Sequence, residues 1–307
     1  DGAGTPVGMD SYAYRFGEAD DPFEVMDLFI KEDFPRDAVT LITSADEFLA
    51  MSPIGNYKLA NNITLDAGYE ALFLGTFDGD NHTITLNGNA AFNRFCAGAV
   101  IRNVILAGTV SHTDSTGALG RYSGATFINI RNTANVTSTK NAGGIIGSVA
   151  DNTSRFENCV NTGTISSVDG QSAGGICGYV NGPATRFVNC SNSGTVTAKA
   201  NAAGIAAYTG GGGNYITFVN CTNSGVITGR NHVGGIVGEA QLQSANPMFD
   251  DCVNTGKIVA TATADKGAGG ICGYNGTNTI YMQNCYNSGE VIGRYAAGMV
   301  GDSAKGV

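Results

Sequence analysis

The sequence predicts an all-β fold: a right-handed single-stranded parallel β-helix, or solenoid, of about eight or nine coils with a small, partly helical N-terminal cap. Three observations predict it. A cysteine phrase recurs as NCVNTG at 158, NCSNSG at 189, NCTNSG at 220, DCVNTG at 251 and NCYNSG at 284. Its anchors, Asn158, Asn189, Asn220, Asp251 and Asn284, stand 31, 31, 31 and 33 residues apart, the fixed period of a repeat architecture. A second phrase alternates with it: GGIIG at 143, GGICG at 174, AGIAA at 203, GGIVG at 234, GGICG at 269 and AGMVG at 297. Finally, the apolar segments are four to six residues long, β-branched or aromatic, and broken by Gly and Asn. No stretch after residue 55 keeps a helical period for three turns.

Taken in chain order, residues 1–39 are expected to form an N-terminal extension and cap. DPFEVMDLFIKEDF (21–34) is acidic and helix-compatible, and SADEFLAM (44–51) opens with the capping-box pair Ser44 and Glu47. A cap there would cover the strand edges of the first coil. The solenoid is assigned to 40–307, in repeats of roughly 26–35 residues. Degenerate copies start at Asn103 and Asn129, with TGALG at 116 as the early second phrase.

Two columns show no polar residue. Two places before each anchor stand Ile101, Phe127, Phe156, Phe187, Phe218, Phe249 and Met282. Seven places after it stand Val110, Val136, Ile165, Val196, Ile227, Ile258 and Val291. Insertions such as YTGGGGNY (208–215) and TATADKGA (261–268) fall between phrases and read as loops. One coil buries too little to fold alone: a few large side chains at roughly 1.5–3 kcal/mol each do not offset the ordering of a whole turn of backbone. Stacking ~4.8 Å apart, with main-chain bonds to both neighbours, supplies the rest. The chain stops at GDSAKGV with no visible second cap, which points to a longer array or to end-to-end self-association there.

The opening YKLANNITLD and FLGTFDGDNHTITLNG (73–88) resemble the first coils of surface proteins with a pectin-lyase-like right-handed β-helix. The alternating GGIxG and NCxNxG phrases resemble the GLUG-type repeats of exported proteins from gut and mucosal bacteria. The resemblance covers about residues 40–307. It implies architecture, export and surface display; such repeats occur in adhesins, cell-wall proteins and the non-catalytic parts of IgA-cleaving metallopeptidases. Those peptidases carry an HExxH zinc motif, which this chain lacks, so only the scaffold carries over.

Residue chemistry points the same way. Cys159, Cys190, Cys221, Cys252 and Cys285 share a column with Val104 and Ile130, so the position is apolar and interior. Free structural thiols are expected: parallel Cβ vectors leave neighbours ~4.8 Å apart, beyond the ~3.8 Å that a disulfide favours. Cys177 and Cys272, in the Ile146 column, and Cys96 read as core too. Asn161, Asn192, Asn223, Asn254 and Asn287 should form an amide ladder, with Asp251 interrupting the companion column.

No catalytic, metal or cofactor site is expected. The acids are scattered, Asp250 and Asp251 point to opposite faces, and Asp78 and Asp80 read as turn formers. His82, His112 and His232 have no zinc or triad spacing. The surface feature that invites a ligand is aromatic. After the second phrase come Ser148, Tyr179, Tyr208, Glu239, Tyr274 and Asp302, with Tyr215, Tyr281 and Tyr286 elsewhere. Tyrosine suits sugars, being apolar in the ring and polar at the hydroxyl.

Composition bounds the partners. A net charge of −9 disfavours nucleic acid, and no apolar run reaches the length of a membrane span. With 45 glycines and only 14% charged residues, the polar surface must come from Asn, Ser, Thr and Gly. The expectation is an exported, non-enzymatic bacterial surface protein, an adhesin or stalk. Its expected partner is a host or microbial glycan or a surface protein. A glycan-binding or glycan-cleaving β-helix and a filament-forming subunit are the alternatives.

Overall fold

The computed structural model describes residues 38–149, 153–169, 171–182, 184–211, 216–242, 248–262, 266–276 and 279–303. The segment 21–34 and Tyr215 lie outside the described residues. Strand pairings from coil to coil are parallel and place like on like. Phe127 stands opposite Phe156, Phe156 opposite Phe187, Phe187 opposite Phe218 and Phe218 opposite Phe249.

Three sheets of 23, nine and seven strands make up the sides of the solenoid. One coil runs through Arg155–Glu157, Val160–Asn161 and Ile165–Ser167 in the large sheet. It continues through Ala173–Gly174 in the seven-stranded sheet and Cys177–Val180 in the nine-stranded one. About seven coils therefore carry all three sides, slightly fewer than the eight or nine expected. The first coils, with Tyr69–Phe73 and Phe92–Phe95, reach the nine-stranded sheet but have no strand in the smallest one.

The phrases exist because the backbone demands them. Asn103, Asn129, Asn158, Asn189, Asn220, Asp251 and Asn284 all have positive φ, between 50° and 55°. That left-handed corner favours Asn and Asp among residues with a side chain, so the anchor marks a bend and the next residues start the following strand. The second phrase answers the first across the interior. A Cβ on Gly175 would fall 2.6 Å from the Asn192 side chain, so the glycine leaves room for the buried amide.

Register also corrects the early second phrase. Gly117 pairs with Gly143 and Gly120 with Ile146. The copy therefore begins one residue later than TGALG suggests, and Tyr122, not Arg121, stands beside Ser148.

At the N-terminal end, helix α1 (Ala45–Leu49) starts at Ser44, whose hydroxyl accepts the Glu47 N–H at 3.3 Å. The Glu47 carboxylate reaches one residue further back than a capping box requires, accepting from the Thr43 N–H at 2.6 Å and its hydroxyl at 2.8 Å. The helix buries Phe48 against Phe77, Phe92 and Tyr69, with centroids 5.4, 5.0 and 6.5 Å away. This helix lies within 40–307, so the cap signal at 44–51 belongs to the solenoid segment rather than to the extension before it.

Candidate functional site

Two amide ladders run along the stack with opposite polarity. Inside, Asn132, Asn161, Asn192, Asn223 and Asn254 each donate from Nδ2 to the Oδ1 of the next coil, ending on Asn287, at 2.7–2.8 Å. Each of the five also donates its second N–H to a carbonyl two residues on, as Asn192 does to Gly194 at 2.9 Å. Outside, Asn129, Asn158, Asn189 and Asn220 donate backwards to the preceding coil at 2.9–3.0 Å. Asp251 follows Asn220 and has no amide N–H to give it.

All eight cysteines are free thiols. Cys159, Cys190, Cys221 and Cys252 are buried in one column, and Cys285 at its end is half-buried. Sγ of Cys190 lies 3.6 Å from the Phe156 carbonyl of the coil below, and Cys221 repeats the contact with Phe187 at 3.5 Å. Burial pushes the thiols of Cys159 and Cys221 well above the ordinary range, and those of Cys177 and Cys272 to about 12. Thiolate chemistry is suppressed there.

The outward column of the nine-stranded sheet carries different chemistry. Register lines up Arg94, Tyr122, Ser148, Tyr179, Tyr208, Glu239, Tyr274 and Asp302. Tyr179 and Tyr208 stack with centroids 4.8 Å apart and planes within 2°. Their facing sides are thus used by each other. Gly210 permits this lie: a Cβ there would meet the Tyr208 ring. Burial, then the neighbouring Tyr179 and Glu239, raise the Tyr208 hydroxyl.

At Glu239 the column lacks a ring, and His232 supplies one from the adjoining corner. Its imidazole stacks on Tyr274 at 4.3 Å and 12°. Nδ1 of His232 lies 3.1 Å from Glu239 Oε2, though not aligned as a hydrogen bond. Asn201 and Gln241 donate to the same carboxylate. Burial would raise Glu239, but these donors and His232 outweigh it and hold the carboxyl below its usual range.

Tyr122 lies at the other end, with the Arg94 guanidinium 5.4 Å from its ring centroid. Its hydroxyl donates to Asp114 at 2.9 Å, and Asp114 also holds Arg121 and Lys140 at 3.1 and 3.0 Å. Burial opposes ionisation of Asp114, yet Lys140 and the other donors bring its pKa down to about 2.

The structure thus places Tyr179, Tyr208 and Tyr274 in one column. Tyr281 and Tyr286 are more exposed but stand on the large sheet, opposite Met248 and Val253. Tyr122 and Arg94 are the members that sequence reasoning missed; for Tyr122 the signal was present in GALGRY, one residue out of phase. Among the described residues no three His, Cys, Asp or Glu side chains come together to hold a metal ion, and no helix is long and apolar enough to cross a membrane.

No protein-family model and no curated protein matches the chain. Among solved structures it is similar to one from Bacteroides ovatus described as a "putative immunoglobulin A1 protease". The TM-score is 0.56 and the identity 21%, over 84% of each chain. That likeness is one of fold, and the class it defines together with the strand register is the parallel β-solenoid.

Proposed function

We propose that the chain is the non-enzymatic scaffold of an exported bacterial surface protein, an adhesin or stalk that displays a binding row along a stiff β-helix. One observation supports it above the others: the thiols are buried and the inner amides are spent on their own ladder neighbours, whereas Arg94 and the part-exposed Tyr122, Tyr179, Tyr208 and Tyr274 share one column on the nine-stranded sheet. On this reading the row contacts a glycan or a surface protein through phenol edges and hydroxyls.

Two experiments test it. On intact producing cells, the chain should be labelled by antibody and removed by external protease; confinement to the cytosolic fraction would overturn export. In a glycan and mucin binding screen, Tyr179→Ala with Tyr208→Ala should weaken whatever ligand is found by roughly tenfold, as expected for lost aromatic contact. Unchanged binding would remove the row from the reading. The non-enzymatic part fails if purified protein cleaves immunoglobulin A1, the activity in the neighbour's description.

A further inference from the structure

Four consecutive coils of the large sheet carry an outer charge opposite to that of the chain. The protein carries −9 overall. Yet the coil segments 126–139, 155–168, 186–199 and 217–230 hold Arg131, Arg155, Arg186, Lys199 and Arg230 against Glu157 alone: five cations and one carboxylate, a formal +4. All five cations are exposed.

Their pairing is as unusual as their number. Outside these four segments Lys58, Arg102, Arg121, Lys140 and Lys257 each meet a carboxylate at 2.8–3.1 Å, while Arg94 and Lys266 meet none among the described residues. Within these four coil segments only Arg155 does, with Glu157 at 2.7 Å. Arg131, Arg186, Lys199 and Arg230 have no carboxylate within ion-pair distance among the described residues.

Register then sets like charge on like. Arg155 is directly opposite Arg186. Lys199 and Arg230 follow two places after the Thr197–Thr228 pair, on adjacent coils. Cross-strand pairs of like charge are destabilising, and an acidic chain had carboxylates to place between them. Along the surface between these two steps run uncharged hydrogen-bonding rows: the amides of Asn158, Asn189 and Asn220, and the hydroxyls of Thr162, Ser193 and Ser224.

We propose that this side of the large sheet binds a polyanionic glycan, a chain of sugars bearing sulfate or carboxylate groups. It lies along the coil stack, with Arg155–Arg186 and Lys199–Arg230 as two cationic steps. Coils repeat every ~4.8 Å, similar to the length of a sugar unit, so successive anionic groups can meet successive coils. The amide and hydroxyl rows take the sugar hydroxyls. Nucleic acid fits less well, because the described part of this stretch carries no outward aromatic ring on which bases could stack. The inference rests on the chain being a binding scaffold, but uses a different sheet from the tyrosine row.

The test is binding of the intact chain to heparin, chondroitin sulfate and hyaluronan at low ionic strength, with dextran and a single-stranded oligonucleotide as comparisons. Binding to at least one acidic glycan and not to dextran is expected, weakening steeply with salt as bound counterions are exchanged. Hyaluronan, which has carboxylates only, separates carboxylate recognition from sulfate recognition. Arg186→Gln with Arg230→Gln should lower affinity roughly tenfold or more with an unchanged melting midpoint. Lys58→Gln with Lys257→Gln should leave affinity as it was.

Four results would overturn the proposal: no binding to any of the three glycans, equal affinity in the R186Q/R230Q protein, an equal loss in the control pair, or preference for the oligonucleotide. Tyr179→Ala with Tyr208→Ala separates the two readings. Retained acidic-glycan binding places the ligand on this sheet, and its loss moves the ligand to the tyrosine row.

Discussion

Aromatic rings pack in two different ways along this molecule. From Phe156 to Phe249 they form a stack, with successive planes 6°, 2° and 9° apart and centroids at 4.8–5.1 Å. In the first coils, Phe48, Tyr69, Phe73, Phe77 and Phe92 meet mostly edge to face, at angles such as 90°, 88° and 75°. Isolated ring pairs prefer offset or edge contacts. Repetition overrides that preference: when the same residue returns at the same place in each coil, the strand spacing sets the ring spacing. Where the sequence does not repeat, rings arrive from different elements, α1 included, and pack as in an ordinary core. One region can be extended coil by coil, and the other closes an end.

The largest effect should come from breaking a ladder that carries polar groups. Asn192 is 1% exposed. It accepts from Asn161 and donates to Asn223 and to the Gly194 carbonyl. Asn192→Ala leaves three buried groups short of a partner, at about 1–3 kcal/mol each, so a loss on the order of 3–9 kcal/mol is expected in urea unfolding. A loss below about 1 kcal/mol would mean that neighbouring amides or water re-pair freely and that the ladder is not a continuous unit.

The two aromatic regions can be set against each other directly. The Phe92 ring meets the rings of Phe48, Tyr69, Phe73, Phe77 and Phe95, whereas among the described residues the Phe187 ring meets two rings, Phe156 and Phe218. Both are fully buried. Phe92→Leu should therefore cost roughly 1–3 kcal/mol more than Phe187→Leu, given about 0.5–1.5 kcal/mol for each aromatic pair beyond its buried area. Equal costs in thermal unfolding would show that stacked rings held by register are worth as much as edge contacts. The comparison between regions would then be one of shape alone.

The same contrast decides what could be read from the sequence. The phenylalanine, cysteine and inner asparagine columns were legible because each repeats a side chain at a fixed interval, and the sheet register aligns those positions. The early second phrase was misaligned by one residue because GALGR begins with a glycine preceded by Thr116, which imitates the later copies; Tyr122 was lost with it. His232 joins the tyrosine column from a neighbouring corner, a relation between columns that no single-column reading contains. The cationic sheet was hidden by arithmetic: a net charge of −9 averages over surfaces, whereas Arg155 and Arg186 are neighbours only once the chain has coiled.

The smallest effect should come from the column that first draws the eye. Cys190 is fully buried, but its column also holds Val104 and Ile130, each 0% exposed. The contact from its sulfur to the Phe156 carbonyl is long, at 3.6 Å. Cys190→Val keeps volume and apolarity, so a cost below about 1.5 kcal/mol is expected in urea unfolding. Cys159, Cys190, Cys221 and Cys252 should be silent to a thiol reagent until the chain unfolds, because burial denies the reagent access. A cost near that of Asn192→Ala, or fast labelling of the folded protein, would give the sulfur column a role beyond filling space. The expected result separates two ladders that look alike in the sequence: in one the repeated group holds its neighbours, and in the other it occupies a slot that valine and isoleucine fill elsewhere.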